Sequence, residues 1–289
     1  MSSSTVAVTG ASGKTGRVVV ADLLAHGHEV LAVDIVAGPG DRERMAELGA
    51  PLLCADLTDY GQTVDALQDA DTVIHLANIP APGLFPAAHT LNANLAMNNN
   101  VFLAAAQNKL SRVVWASSET TLGLPFDTPP RYAPVDEDHY PYPTSTYALS
   151  KTASETTAGH IADWSGIPFV ALRLSNVHVE RDYRFVPGYW GDAQLRKWNL
   201  WGYVDARDVA LACRLALNAP LTGAPSFVIA AADTIMNRPS AELLAEVFPE
   251  VELTRKIGEF ETLLSIERAR EALGYVPEHS WRDILQQGA

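Results

Sequence analysis

Cysteine is nearly absent: Cys54 and Cys213 are the only two in 289 residues, and they lie far apart in the chain. Two such residues cannot build a disulfide scaffold, and both are expected as reduced core thiols. Basic charge is also short. Against 34 Asp and Glu there are 21 Lys and Arg, a net charge of −13, which argues against nucleic acid or an anionic membrane surface as partner. Any anionic substrate must then be held by a few locally placed basic groups. No apolar run reaches the roughly 18–20 residues needed to span a bilayer, so no membrane is expected. Met1-Ser2-Ser3-Ser4 carries neither a basic nor an apolar segment; no secretion signal is expected, and the expected location is cytoplasmic.

Other chemistries are missing too. His26-x-His28 falls at a polar turn and no nearby Cys/His set completes it, so no metal is expected. Ser118-Glu119 has no Gly-x-Ser-x-Gly elbow around it and no paired histidine, against a hydrolase triad. Lys14-Thr15 sits in a glycine-rich loop, but the spacing G-x-x-x-x-G-K-[ST] is absent, against a nucleotide triphosphatase. There is no internal repeat and no low-complexity linker. At 47% hydrophobic and 19% charged residues, the chain is globular in composition and long enough for one elaborated domain.

Near the N-terminus stands a short apolar strand, Val6-Ala7-Val8, followed by Thr9-Gly10-Ala11-Ser12-Gly13-Lys14-Thr15-Gly16 and an apolar helix start at Val18. Glycines spaced G-x-x-G-x-x-G let the chain turn tightly, let backbone N–H groups approach a pyrophosphate, and let helix pack close to strand. The positive helix end then faces the phosphates. The next strand, Glu29 to Val33, ends at Asp34, 18 residues past Gly16. A carboxylate at about that offset binds the adenosine ribose hydroxyls and repels a 2′-phosphate, favouring NAD over NADP. Arg42 and Arg44 keep NADP as the minority reading, and a solvated strand end is the plain alternative for Asp34.

Tyr147 and Lys151 lie four apart in Ser145-Thr146-Tyr147-Ala148-Leu149-Ser150-Lys151. On a helix they share a face. A nearby ammonium is expected to lower the phenol's pKa from its ordinary ~10 and make it an acid/base near neutrality. Tyr140 and Tyr142 are rivals without a lysine four residues on. Between these landmarks apolar strands (51–55, 72–77, 112–116, 168–174) alternate with helical stretches (63–70, 91–108, 146–165), and 122–143 reads as a loop. That alternation predicts an α/β fold, a parallel sheet covered on both faces.

These motifs together resemble the extended short-chain dehydrogenase/reductases, the NAD-dependent epimerase/dehydratase family, over nearly the whole chain. To the glycine loop and Tyr147/Lys151 the resemblance adds Asp56-Leu57, His75-Leu76-Ala77-Asn78, Asn94 and Asn100. It also takes in Ala116-Ser117-Ser118 through Gly123, where Leu122 replaces the family's tyrosine. Arg173-Leu174-Ser175-Asn176-Val177, the segment from Gly202 to Ala210 around Val204-Asp205-Ala206-Arg207-Asp208, and the terminal Ile266 to Pro277 run complete it.

The resemblance implies a Rossmann-type doubly wound sheet over 1–175, completed by 202–230, with 176–201 and 231–289 forming a small substrate-binding portion. It implies Ser118, Tyr147 and Lys151 as catalytic residues. It implies Gly10, Ser12, Gly13, Lys14, Thr15, Gly16, Asp34, Asp56, Leu57, Leu76, Ala77, Asn78, Asn94 and Leu174 as further cofactor contacts, and a homodimer through the helices at 91–108 and 146–165. Only 177–203 separates two motifs that in nucleotide-sugar enzymes stand further apart, which points to a smaller substrate, a sugar, sugar acid or other hydroxy/carbonyl compound. In this the chain is similar to uronate dehydrogenases. Asn176 is then expected at the substrate, and Arg184 or Arg181 on a substrate carboxylate, with solvated loop arginines as the alternative. Three functions stand: an NAD-dependent dehydrogenase, an epimerase or dehydratase that keeps its cofactor, and a non-catalytic NAD(P)-binding regulator.

Overall fold

In a computed structural model, residues 4–35, 40–139 and 141–287 are described. Seven strands form one sheet. They are β1 (Thr5–Thr9), β2 (Glu29–Asp34), β3 (Leu52–Cys54), β4 (Thr72–His75), β5 (Arg112–Ser118) and β6 (Phe169–Leu174), then, after the short strands β7 (Val177–His178) and β8 (Val204–Asp205), β9 (Ser226–Ile229). The order is β3-β2-β1-β4-β5-β6-β9 and every pairing is parallel. A parallel sheet is covered on both faces, which is why its central strands read as unbroken apolar runs rather than alternating ones. Val6, Ala7 and Val8 are all fully buried.

The helices are α1 (Lys14–Ala25), α2 (Asp41–Glu47), α3 (Tyr60–Leu67), α4 (Ala87–Asn108), α5 (Thr146–Ser165), α6 (Ala206–Asn218), α7 (Ser240–Val247), α8 (Glu267–Leu273) and α9 (Trp281–Gln287). One core cluster lies under α3, α4 and α5, centred on Phe102, whose ring stands 5.2 Å from both Trp115 and Phe169. The other lies under α1 and α6 and continues into the C-terminal helices. Burying one such side chain stabilises the fold by about 1.5–3 kcal/mol, so the two clusters fix the sheet rigidly beneath its loops.

The strand order reverses at β1, which is flanked by β2 on one side and β4 on the other, while every strand keeps the same direction. That is the switch point at which open parallel sheets bind ligands, just beyond the carboxyl ends of the strands. The loops carrying Gly10, Asp34 and Asn78 all emerge there, and β5 and β6 deliver Ser118 and Leu174 in register to the same edge.

Several boundaries differ from the sequence reading. The helix expected at 63–70 runs Tyr60–Leu67 because Asp59 caps it, accepting Gln62 N at 2.9 Å. The helix expected from Leu91 starts at Ala87, directly after Pro86. Among the described residues the loop at 122–143 has no strand of its own, yet Ala133 and Val135 make backbone bonds to Glu252 and Leu263, which tie it to the C-terminal segment. Helix α5 has the expected bounds. Its N-cap is Ser145, whose hydroxyl accepts Ala148 N at 3.1 Å. Ser145→Ala should cost about 1 kcal/mol, read as a lowered melting temperature, with a smaller loss of activity because Tyr147 lies in the same first turn.

Candidate active site

The glycine loop leaves β1 and enters α1 at Gly13, which makes no side-chain cap. The first-turn N–H groups are therefore not taken by a capping hydroxyl, as an anion-binding helix start requires. Two glycines are demanded by space. A Cβ on Gly10 would fall 2.7 Å from Ala77 N, and one on Gly16 would fall 2.1 Å from Gly10 O. The loop is thus pressed against the end of β4 on one side and against its own helix on the other. Asp34 closes it from β2, its Oδ2 accepting Ser12 N at 2.9 Å and Ser12 Oγ at 2.6 Å. Its other oxygen accepts Ile35 N at 2.8 Å. Lys14 differs from expectation, because its Nζ reaches away to Val177 O (2.6 Å) and Asp182 (3.2 Å). Only the backbone of Lys14 faces the cradle. Asp56 turns its Oδ1 onto Thr58 N and Oγ1, while Leu57 is buried and its carbonyl is held by Asn100 at 2.9 Å.

Ser118, Tyr147 and Lys151 come together at the ends of β4 and β5, with 6%, 8% and 2% of their surface exposed. Lys151 Nζ stands 5.7 Å from the Tyr147 ring centre. It donates to Asn78 Oδ1 at 2.6 Å and to Ala116 O at 2.7 Å. Asn78 and His75 both bond Asn98 Oδ1 (2.8 and 2.9 Å), and Asn98 donates to Ser154 Oγ at 2.8 Å. One polar chain therefore runs from the strand end through α4 to α5 and fixes the lysine head. Burial drives His75 down to about 3, so it is neutral in this chain. Ser118 Oγ accepts Thr120 N at 3.2 Å and Thr120 Oγ1 at 3.0 Å, which leaves its own proton to donate.

The expected lowering of the phenol's pKa is not found. Burial pushes Tyr147 up to about 12; Ser118 pulls it down and the Glu119 carboxylate adds to the rise. The same burial brings Lys151 down to about 7, opposed by Glu155. Both groups lose their hydration in one crevice, and desolvation is the largest cause for each. Glu155, one turn beyond Lys151, is itself fixed by Arg173 at 3.0 and 2.8 Å and by Ser117 Oγ at 2.5 Å.

Other assignments are displaced. Asn94 is fully buried and clamps Ile79, accepting its N–H at 2.8 Å and donating to its carbonyl at 3.1 Å, which shapes the loop after β4. Arg184 is exposed and lies over the Phe185 ring. With Lys14, Arg17, Arg44 and Arg181 it lines a cavity of about 720 Å³ beside α1 and α9 that contains none of Ser118, Tyr147 or Lys151. The cause is a 3-10 run over Glu180–Tyr189, whose three-residue period buries Tyr183 and Val186 and turns Arg181 and Arg184 outward. Arg196, 7% exposed, instead lies near the strand ends and donates to Asn176 Oδ1 at 3.2 Å. Tyr142 is 59% exposed and Tyr140 lies outside the described residues. His26 and His28 bond Asp22 O and Ser4 Oγ separately. Cys54 and Cys213 are both free thiols, and burial pushes Cys213 up to about 12. Among the described residues no helix is long and apolar enough to cross a membrane.

A glycine cradle at the switch point of a parallel sheet, beside a buried Ser/Tyr/Lys set, is the arrangement that the resemblance to the extended short-chain dehydrogenase/reductases leads one to expect. The chain belongs to the NAD dependent epimerase/dehydratase family, whose pattern matches residues 6–230. It is 32% identical over 186 residues to tetraketide alpha-pyrone reductase 1 of Arabidopsis thaliana, covering 58% of this chain and 55% of that protein. It is 26% identical over 188 residues to uronate dehydrogenase of Pseudomonas syringae pv. tomato, covering 63% of each. The chain thus spans less than two thirds of the length of either relative. A short-chain dehydrogenase/reductase superfamily protein from Agrobacterium tumefaciens with bound NAD shares the fold, with a TM-score of 0.74 and 21% identity over 98% of this chain and 95% of that one.

Proposed function

We propose that this enzyme transfers hydride between NAD and a small hydroxy/carbonyl compound, a sugar or sugar derivative, with Tyr147 as acid/base. The observation that carries the reading is the convergence of Ser118, Tyr147 and Lys151 in one crevice directly beside the uncapped glycine cradle. When bound, the nicotinamide supplies or accepts the hydride, and the protein supplies position and proton handling. Ser118 Oγ–H donates to the substrate oxygen. In reduction Tyr147 O–H gives its proton to that oxygen, and in oxidation the phenolate takes it back. Lys151 binds the ribose hydroxyls, and Asn78, Asn98 and Glu155 hold it in place. Residues 176–201 and 231–289 wall the substrate side. Their first part contains only 3-10 turns between β7 and β8, which supports a substrate without a nucleotide diphosphate. The helices α4 and α5, packed side by side, are the faces through which we expect two copies to pair in the cytoplasm.

Asp34 is the ribose-binding carboxylate in this reading. Asp34→Ala should raise the ratio of NADP to NAD efficiency by about tenfold or more, since the repulsion of a 2′-phosphate disappears; an unmoved ratio in the steady-state comparison discards the role. To test the function itself, sugars, sugar acids and simple alcohols are incubated with NAD and followed in the nicotinamide absorbance band. Free NADH accumulating with one of them is the expected result. Conversion of a sugar without net NADH would instead mark an epimerase or dehydratase, and NAD binding with no conversion of any compound would mark a regulator.

A further inference from the structure

We propose that Glu119 and Arg196 form a charge-compensated wall of the substrate cleft, which selects an uncharged hydroxyl-bearing compound over its carboxylated counterpart. Glu119 follows Ser118 directly, at the end of β5. Asn176 lies two residues past Leu174, the register partner of Ser118 on β6. Arg196 is held over Asn176, its guanidinium between the rings of Tyr189 (5.1 Å) and Trp198 (4.9 Å), and Nη2 donates to Asn176 Oδ1 and Gly202 O at 3.2 Å each. Asn199 donates to Glu119 Oε1 at 3.3 Å and to Gly202 O at 2.8 Å. Two adjacent non-glycine residues, Leu200 and Trp201, take positive φ (52° and 57°) to bring this turn back to the strand ends. Such strain persists where a surrounding site holds it in place.

The charges are arranged in a telling way. Glu119 is 3% exposed; burial pushes it up to about 7, opposed by its hydrogen bonds and by the nearby Arg196, so it keeps a share of negative charge at neutrality and above. Ser175, Asn199 and the Asn176 backbone hydrogen-bond to Glu119, whereas Arg196 Nε and Asn199 Oδ1 are buried without a hydrogen-bond partner. Buried groups left unpaired beside a catalytic residue point to a polar ligand. A carboxylate ligand meets repulsion from Glu119 and an arginine whose field Glu119 already offsets. A hydroxyl donates to Glu119 and accepts from the Asn176 amide, whose oxygen Arg196 holds. Neutral polyol chemistry fits all of these partners.

This deepens the hydride-transfer reading, on which it rests for the position of the cleft. The test is calorimetric titration of the NAD-saturated full chain with matched pairs, glucose with glucuronate and galactose with galacturonate. The wild type should bind the neutral member of a pair at least about tenfold more tightly, and Glu119→Gln should move that ratio toward the acid by a similar factor. If Glu119→Gln does not fold, Arg196→Gln carries the test and should move the ratio about tenfold the other way. Equal or tighter binding of the acid by wild type, a ratio unmoved in a folded NAD-binding variant, or binding of neither member would overturn the inference. Hydride transfer from a compound of another class would leave the parent reading intact; a bound sugar with no hydride transfer would sink that reading and keep this one.

Discussion

Tyr147→Phe should remove most turnover, by about 10²–10⁴-fold, while NAD binds almost as before. In the proposed reading the phenol is the group that exchanges its proton with the substrate oxygen. Ser118 can hydrogen-bond that oxygen, but its hydroxyl has no base beside it. Phenylalanine fills the same 8% exposed space, so packing is retained and the melting temperature should stay within a few degrees. The pH profile gives a second check. Burial holds the Tyr147 phenol at about 12, so the phenolate needed for oxidation is scarce at neutrality and grows with pH. Oxidation by the wild type should therefore accelerate steadily into the alkaline range, and the residual rate of the variant should lack that rise. Activity comparable to wild type, or the same pH slope in both, would discard Tyr147 as the base.

Lys151→Met should weaken both NAD binding and catalysis. Charge-assisted hydrogen bonds to ribose hydroxyls contribute about 1.5–3 kcal/mol, equivalent to roughly 10–150-fold in NAD affinity, and turnover falls further because the nicotinamide is no longer held against the substrate. Two buried acceptors, Asn78 Oδ1 and Ala116 O, also lose their donor. The pH dependence of stability separates this from general damage. Lys151 titrates near 7 in the fold against an ordinary 10.5. Between those values the unfolded chain binds the extra proton, so this lysine makes wild-type stability rise with pH across that window. Methionine cannot titrate, and that part of the slope should be missing from denaturation curves. Unchanged NAD affinity would mean that the lysine only props the strand end.

Legibility from sequence followed the reach of the interactions. The glycine loop, Asp34 and the Tyr147–Lys151 face are local patterns of turn and helix, and their geometry is set within a few residues. The apolar runs likewise gave the parallel sheet, since buried strands are continuous in hydrophobicity. What depended on distant packing was not readable. Arg184 looked suited to the substrate, but the 3-10 period of its segment turns it outward beside α1. Arg196 carries no local signal, because its approach depends on positive φ at Leu200 and Trp201, neither of which is a turn-forming residue type. Glu119 read only as the neighbour of Ser118; its burial comes from the 196–202 turn folding back over β5. The phenol's raised pKa has the same origin, a desolvation that spacing along a helix does not report.

The most direct measurement uses whichever compound turns over, deuterated at the carbon bearing its hydroxyl, and follows the label by mass spectrometry. The account predicts that deuterium moves to the nicotinamide and leaves with free NADH in a one-to-one ratio with oxidised product, and that Tyr147→Phe slows this transfer without redirecting the label. Deuterium retained in the product or lost to water, with no labelled NADH released, would contradict it.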